Sequence, residues 1–318
     1  MRIALLEPLG VPVETIEKLA EPIRQAGHEF VYFDTKTTDP DELVRRSAQA
    51  DVVMIANNPY PTEVIERLSR LKMIAVAFTG IDHVGLEACK RRGVTVCNCA
   101  GYSDTSVAEL AVGLTISVLR KIQEGDAALR DGGTAAGLMG TEITGKTVGI
   151  VGTGHIGSRA GILFKAFGAR VLGYARHENK EATAAGIEYA SLDELLTTSD
   201  IVSLHLPLNN MTRGSFDASR MAQMKTSSIL INCARGPIVN TAALASALNE
   251  GRLAGAGVDV FDSEPPLDKA NPLLHAKNCV LTPHVGFLTK EAMQRRAKIV
   301  FGNVTAWLSD SPTNVCKL

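Results

Sequence analysis

Short apolar and β-branched runs recur along almost the whole chain, and most are followed by a stretch of helical period. RIALL, EFVYF, DVVMIA, MIAVAF and VTVCN occupy the first hundred residues, with amphipathic segments such as VETIEKLAEPIRQAG and TEVIERLSRL between them. Such alternation is satisfied by parallel sheets covered by helices. A second series opens after the glycine-rich DGGTAAGLMG and runs through KTVGIVG, ARVLGYA, DIVSLHL, SSILINC, LAGAGVDV and NCVLTPH. The chain has 318 residues, which at roughly 100 to 200 residues per domain suggests two domains. The expected fold is therefore α/β. Between the two series, Val107, Leu110, Ala111, Leu114, Val118 and Ile122 keep helical spacing. They predict one long helix from Asp104 to Arg130 that links domains or packs against another subunit. The final segment, KEAMQRRAKIVFGNVTAWLSD, reads as a helix that local reasoning cannot assign to either series.

Composition narrows the functional classes. With 33 Lys and Arg against 34 Asp and Glu, the net charge of −1 leaves no excess to neutralise phosphates, so no nucleic-acid partner is expected. No run reaches the roughly 18 apolar residues that span a bilayer, and MRIALLEPLG lacks the pattern of a signal peptide. A soluble, cytoplasmic protein with no membrane partner is expected. The six cysteines, Cys89, Cys97, Cys99, Cys233, Cys279 and Cys316, form no Cys-x-x-Cys pair and stand among apolar neighbours, so they read as buried thiols, and no metal is expected.

The sharpest motif is the strand KTVGIVG running into Gly152-Thr153-Gly154-His155-Ile156-Gly157, a helix and the further strand ARVLGY. Gly152 permits the tight turn, Gly154 lets backbone approach a pyrophosphate, and Gly157 allows close helix packing. The helix N-terminus then offers free N–H groups to the diphosphate. At the end of the second strand, where NAD sites usually carry Asp or Glu, this chain reads Tyr174-Ala175-Arg176-His177. Arg176 offers a donor suited to a 2′-phosphate, which favours NADP over NAD; the plainer alternative is a solvated loop charge.

Three more segments place polar residues in apolar surroundings: Arg235 in INCARGPIVN, Glu264 in GVDVFDSEPP and His284 in CVLTPHVG. Together with the glycine fingerprint, FTGIDHVGLEACKRRGVTVCN, GYSDTSVAEL and TPHVGFLTKEA, they make the chain resemble the D-isomer specific 2-hydroxyacid dehydrogenases over nearly its whole length. Reduction of a 2-oxo acid needs a cation for the carboxylate, a proton donor for the carbonyl oxygen and a hydride source. Arg235 suits the first task through its planar fork, and His284 suits the second because imidazole titrates near neutral pH. Glu264 would bind the other ring nitrogen and favour the imidazolium. The resemblance assigns the same roles to these three residues.

The resemblance further implies that backbone at Thr79 and Gly80 binds the substrate carboxylate, and that Asp259, His205, Pro207, Cys233 and Ala234 contact the cofactor beside Gly152, Gly154, His155, Ile156, Gly157 and Arg176. It implies two Rossmann-like, doubly wound domains with a cleft between them. The substrate domain would comprise residues 1–100 plus 286–318, the dinucleotide domain residues 101–285, and the helix from Asp104 would form a homodimer. Substrate selectivity would fall to loops around Asn57, Tyr60 and Tyr102. No Arg or Lys cluster is visible there for a phosphate, so a small 2-oxo acid is expected before 3-phosphoglycerate. The alternatives are a phosphoglycerate dehydrogenase and a dinucleotide-sensing binding protein of the same fold. Formate dehydrogenases typically carry Gln in place of this Glu, so Glu264 argues against that relative.

Overall fold

In the computed structural model, which describes residues 1–263 and 265–318, the chain divides into two compact units, residues 1–103 with 288–318, and residues 104–287. The described residues of the first unit form one parallel sheet from β1 (Arg2–Leu5), β2 (Glu29–Tyr32), β3 (Val52–Ile55), β4 (Met73–Val76) and β5 (Thr95–Cys97), in the order β2-β1-β3-β4-β5. Both β3 and β4 are buried at every position, as expected for strands with helices on both faces. The C-terminal helix Lys290–Leu308, which periodicity leaves unassigned and the resemblance places with the first domain, packs in this unit beside the helix Val13–Gln25.

A buried amide fixes the chain beyond that helix. Asn303, 1% exposed, donates from Nδ2 to the carbonyl of Asn98 at 2.8 Å. Its Oδ1 accepts from the Thr313 hydroxyl at 3.0 Å and from Asn314 Nδ2 at 2.8 Å. The C-terminal segment is thereby tied to the end of β5, where Cys97 and Val315 form an antiparallel bridge.

The second unit carries β6 (Thr147–Val151), β7 (Arg170–Tyr174), β8 (Glu188–Tyr189), β9 (Ile201–Leu204), β10 (Ile229–Asn232), β11 (Gly255–Val258) and β12 (Cys279–Leu281), all parallel, in the order β12-β11-β10-β9-β6-β7-β8. Alternate residues feed two cores. On β10, Ile229 and Ile231 join the cluster of Val148, Ile150 and Ile201, whereas Leu230 joins Val202, Leu204 and Val258 on the other face. The strand order reverses between β6 and β9, so their carboxyl ends open a crevice of the kind that takes ligands in such sheets.

Two local expectations change. β8 has two residues and no apolar run, so periodicity does not announce it. The single helix expected from Asp104 to Arg130 is two helices, Asp104–Leu119 and Ile122–Arg130, with Lys121 at φ +49° between them. The cause is a competing acceptor bond: the Leu119 carbonyl accepts from Thr141 N at 3.0 Å instead of continuing the helix. The first helix lies close on the sheet because β11 is glycine-rich; a Cβ on Gly257 would stand 2.9 Å from Leu114 Cβ. The second helix buries none of its residues, and Ile122 and Leu129 are exposed.

Asn303→Ala is expected to destabilise the first unit by about 1–3 kcal/mol, the cost of stranding buried polar groups. Urea denaturation reads this as a lower midpoint with an unchanged slope.

Candidate active site

At the end of β6 the backbone turns through Gly152 at φ +100°, a conformation that favours glycine. A Cβ there would also lie 2.6 Å from the His205 carbonyl oxygen, and one on Gly157 would lie 1.9 Å from the Gly152 carbonyl. A Cβ on Gly154 meets nothing within 4 Å. The first and third glycines therefore close the turn, while the second leaves an open approach to the N-terminus of the helix His155–Ala166, whose first turn has no side-chain cap. These features fit a dinucleotide diphosphate: uncapped N–H groups, the positive end of a helix dipole and no side chain in the way. His155 is exposed, with Nδ1 3.9 Å from Asp104, and Ile156 is half-buried.

His205 follows β9 on the other side of the crevice. Its Nε2 lies 2.9 Å from the Ser203 hydroxyl, and its buried Nδ1 has no partner among the described residues. Burial pushes the imidazole down to about 4, so it is neutral near pH 7 and keeps one uncommitted polar nitrogen beside the glycine turn. Pro207 is exposed two residues on, its carbonyl accepting from the Thr212 hydroxyl at 2.7 Å. Arg176 is exposed after β7 and makes no hydrogen bond or ion pair to another described residue.

Next along the edge, Asn232 ends β10 and braces the three residues after it. Its Oδ1 accepts from Ala234 N at 3.1 Å and its Nδ2 donates to the Arg235 carbonyl at 3.1 Å. Cys233 and Ala234 are buried, and Arg235 is half-buried, with one guanidinium nitrogen donating to the Ala234 carbonyl at 2.8 Å. Burial, with Asp259 nearby, raises the Cys233 thiol, keeping it protonated and unreactive.

Asp259, 1% exposed after β11, is the hub of the edge. Its Oδ1 accepts from the Thr282 hydroxyl at 2.6 Å and from Val285 N at 2.8 Å, and its Oδ2 accepts from Gly286 N at 2.9 Å. Its own carbonyl accepts from His284 N at 2.8 Å. The clasp encloses His284, which sits at φ +54°, a left-handed conformation uncommon for a non-glycine residue. The His284 ring stands edge-on to Phe287, with centroids 5.3 Å apart. Burial pushes the Asp259 carboxyl up, while the hydroxyl and the two N–H donors oppose that rise.

The carboxyl edge of this sheet thus gathers the glycine turn, His205, Arg235, Asp259 and His284 from segments that are far apart in sequence. Glu264 lies outside the described residues. Thr79 and Gly80 belong to the other unit, half-buried after β4, where the Thr79 carbonyl accepts from Asn98 Nδ2 at 2.7 Å. Sequence reasoning passed over Thr282, Ser203 and Asn232, because each acts on a neighbour that only folding identifies. The threonine in TPH was the one available signal.

A family model described as D-isomer specific 2-hydroxyacid dehydrogenase, NAD binding domain, matches residues 112–286. A hydroxypyruvate reductase of Blautia hydrogenotrophica is 34% identical over 296 residues, 91% of this chain and 92% of that protein. A D-3-phosphoglycerate dehydrogenase of Methanocaldococcus jannaschii is 38% identical over 264 residues, 82% of this chain but 50% of that protein. Among solved structures, an acyclic imino acid reductase, Bsp5, in complex with NADPH and D-Arg superposes with a TM-score of 0.89 at 30% identity, covering 100% of both chains.

Asp259→Asn places an amide NH₂ where N–H and O–H donors converge, and the clasp around His284 loosens. A fall in kcat on the order of 10² is expected, the usual cost of displacing a reacting group by about an ångström. Steady-state kinetics on a variant with an unchanged circular dichroism spectrum check this; an undiminished kcat would separate the placement of His284 from the clasp.

Proposed function

The chain belongs to the D-isomer specific 2-hydroxyacid dehydrogenase family, and from that premise we propose that it reduces a small 2-oxo acid with His284 as proton donor, Arg235 as carboxylate anchor and NADPH as the favoured reductant. As a family member it is an oxidoreductase that uses a nicotinamide dinucleotide to interconvert 2-oxo and 2-hydroxy acids. The observation that carries the reading is the Asp259 clasp, which holds His284 in a left-handed turn on the sheet edge that also bears the glycine cradle.

When bound, the dinucleotide supplies the hydride. Gly152, Gly154 and Gly157 would hold its diphosphate, with His155, Ile156, His205, Pro207, Cys233, Ala234 and Asp259 as further contacts. Arg235 would fork onto the substrate carboxylate and draw electron density from the adjacent carbonyl. His284 Nε2 or Nδ1 would give a proton to the carbonyl oxygen as the alkoxide develops, and Glu264 would stabilise the imidazolium that donates it. In the reverse direction the same imidazole takes the proton from the hydroxyl. Thr79 and Gly80 would supply backbone N–H groups to the carboxylate.

Two finer points belong to the same proposal. A hydroxypyruvate- or glyoxylate-like substrate is favoured over a phosphorylated one, because the segments NNPYP and AGYSDT contain no Arg or Lys of their own, although Lys36 reaches Asn57 Oδ1 at 3.4 Å and Arg295 donates to the Tyr102 carbonyl at 2.9 Å. The exposed Ile122 and Leu129 support a homodimer formed through the region after Asp104. We also place the protein in the cytoplasm; no helix among the described residues is long and apolar enough to cross a membrane.

His284→Ala is expected to lower kcat on the order of 10²- to 10⁴-fold with little change in dinucleotide affinity, because a positioned acid acts mainly in the transition state. Turnover of glyoxylate and hydroxypyruvate near the parent rate would remove His284 from the mechanism. A protein that binds NADPH yet turns over none of a panel of 2-oxo acids would instead be a sensor. NADPH should exceed NADH in kcat/KM by roughly tenfold to a hundredfold, the worth of one charge-assisted bond from Arg176; equal or better values with NADH would leave Arg176 a solvated charge.

A further inference from the structure

The residue between the first two glycines of the cradle, Thr153, is 3% exposed, and its hydroxyl lies 2.6 Å from the phenol oxygen of Tyr189. Tyr189 stands on β8, the edge strand that periodicity did not announce. The same phenol oxygen accepts from the backbone N–H of Asn179 at 2.7 Å. Asn179 completes the ring: its Nδ2 donates to the Thr153 carbonyl at 3.1 Å and to Ser158 Oγ at 3.3 Å, and Ser158 Oγ donates to the same carbonyl at 2.9 Å. Asn179 Oδ1 meanwhile caps the next helix by accepting from Glu181 N at 2.9 Å.

These bonds enclose one short segment. Residues 175–178 leave β7 where the Tyr174 carbonyl accepts from Gly152 N at 2.8 Å, and they end at Asn179. Both ends of the segment are therefore tied to the glycine turn, one through the sheet and one through the phenol. Within it, Arg176, His177 and Glu178 are exposed. In a sheet of this kind the segment after the second strand faces the ribose next to adenine. A long cationic side chain there discriminates by geometry only if its backbone is held.

We propose that Tyr189, acting through Thr153 and Asn179, is a positioning residue that locks residues 175–178 to the glycine turn and thereby sets how strongly the protein distinguishes dinucleotides with and without a 2′-phosphate. The proposal builds on the dinucleotide site described above and does not depend on which cofactor is preferred, because a lock sharpens discrimination in either direction. Tyr189 has one hydroxyl proton and two lone pairs. Accepting from Asn179 N leaves the proton and one lone pair, either of which bridges to the Thr153 hydroxyl, so a phenylalanine breaks both bonds and keeps the ring.

Isothermal titration of NADPH and NADH, with no substrate present, tests the lock in Tyr189→Phe, Thr153→Val, Thr153→Ser and Arg176→Ala. Tyr189→Phe and Thr153→Val should each move the ratio of the two dissociation constants about three- to tenfold toward one, the scale of a lost hydrogen bond. Thr153→Ser, which keeps the hydroxyl, should retain the parent ratio. At saturating cofactor, kcat should stay within about twofold in all three, since the reacting groups are untouched. A Tyr189→Phe protein that melts earlier but keeps the parent ratio overturns the proposal and leaves Tyr189 a structural residue. If the ratio moves with Tyr189→Phe but not with Arg176→Ala, the lock stands and Arg176 is excluded as the group it positions.

Discussion

A buried carboxylate organises the carboxyl edge of the larger sheet. Asp259 is out of water and accepts one hydroxyl and two backbone N–H groups from residues 282–286, while its carbonyl holds the N–H of His284. Each charge-assisted bond is worth on the order of 1.5 to 3 kcal/mol, so three of them offset part of the cost of burying the charge, which still leaves the carboxyl above its ordinary value, and hold a turn that residue 284 would not adopt by its own preference. The imidazole direction follows from that turn. The interaction also links β11 to the segment after β12, so the sheet and the histidine share one support.

The sheet makes this possible by bringing distant segments to one edge. Seven parallel strands, of which β9, β10 and β11 are buried at every position, form this sheet, and the reversal of order between β6 and β9 sets the glycine turn against His205. The packing there is backbone against backbone, which is why side chains are excluded at residues 152 and 157. Burial keeps His205 neutral, so it presents a polar nitrogen beside the glycine turn without adding a positive charge next to the positive end of the helix dipole.

Immediately after β7 the chain has Ala175 rather than an acidic residue and carries an exposed arginine on a segment held at both ends. Ordering a long side chain costs entropy, and a fixed backbone lowers that cost. On the proposed reading, cofactor choice would belong to Arg176 together with the hydrogen bonds that hold its loop. The chain matches the D-3-phosphoglycerate dehydrogenase of Methanocaldococcus jannaschii over 50% of that protein.

Much was determined by the sequence alone. Strand-helix alternation implied parallel sheets, and a strand running into Gly152, Gly154 and Gly157 implied a dinucleotide turn, because both are local patterns with one steric solution. Arg235 and His284 stood out because polar residues in apolar segments need a reason to be there. Tertiary structure alone decided the rest. The break at Lys121 depends on Thr141 taking the Leu119 carbonyl, and β8 exists only as an edge to β7. Asn179 and Tyr189 carry no signal in one dimension, and Thr282 only its place in TPH, since each matters through a hydrogen bond to a residue whose neighbourhood is created by folding. Local periodicity records what a segment must bury; it does not record which distant polar group will stand beside it.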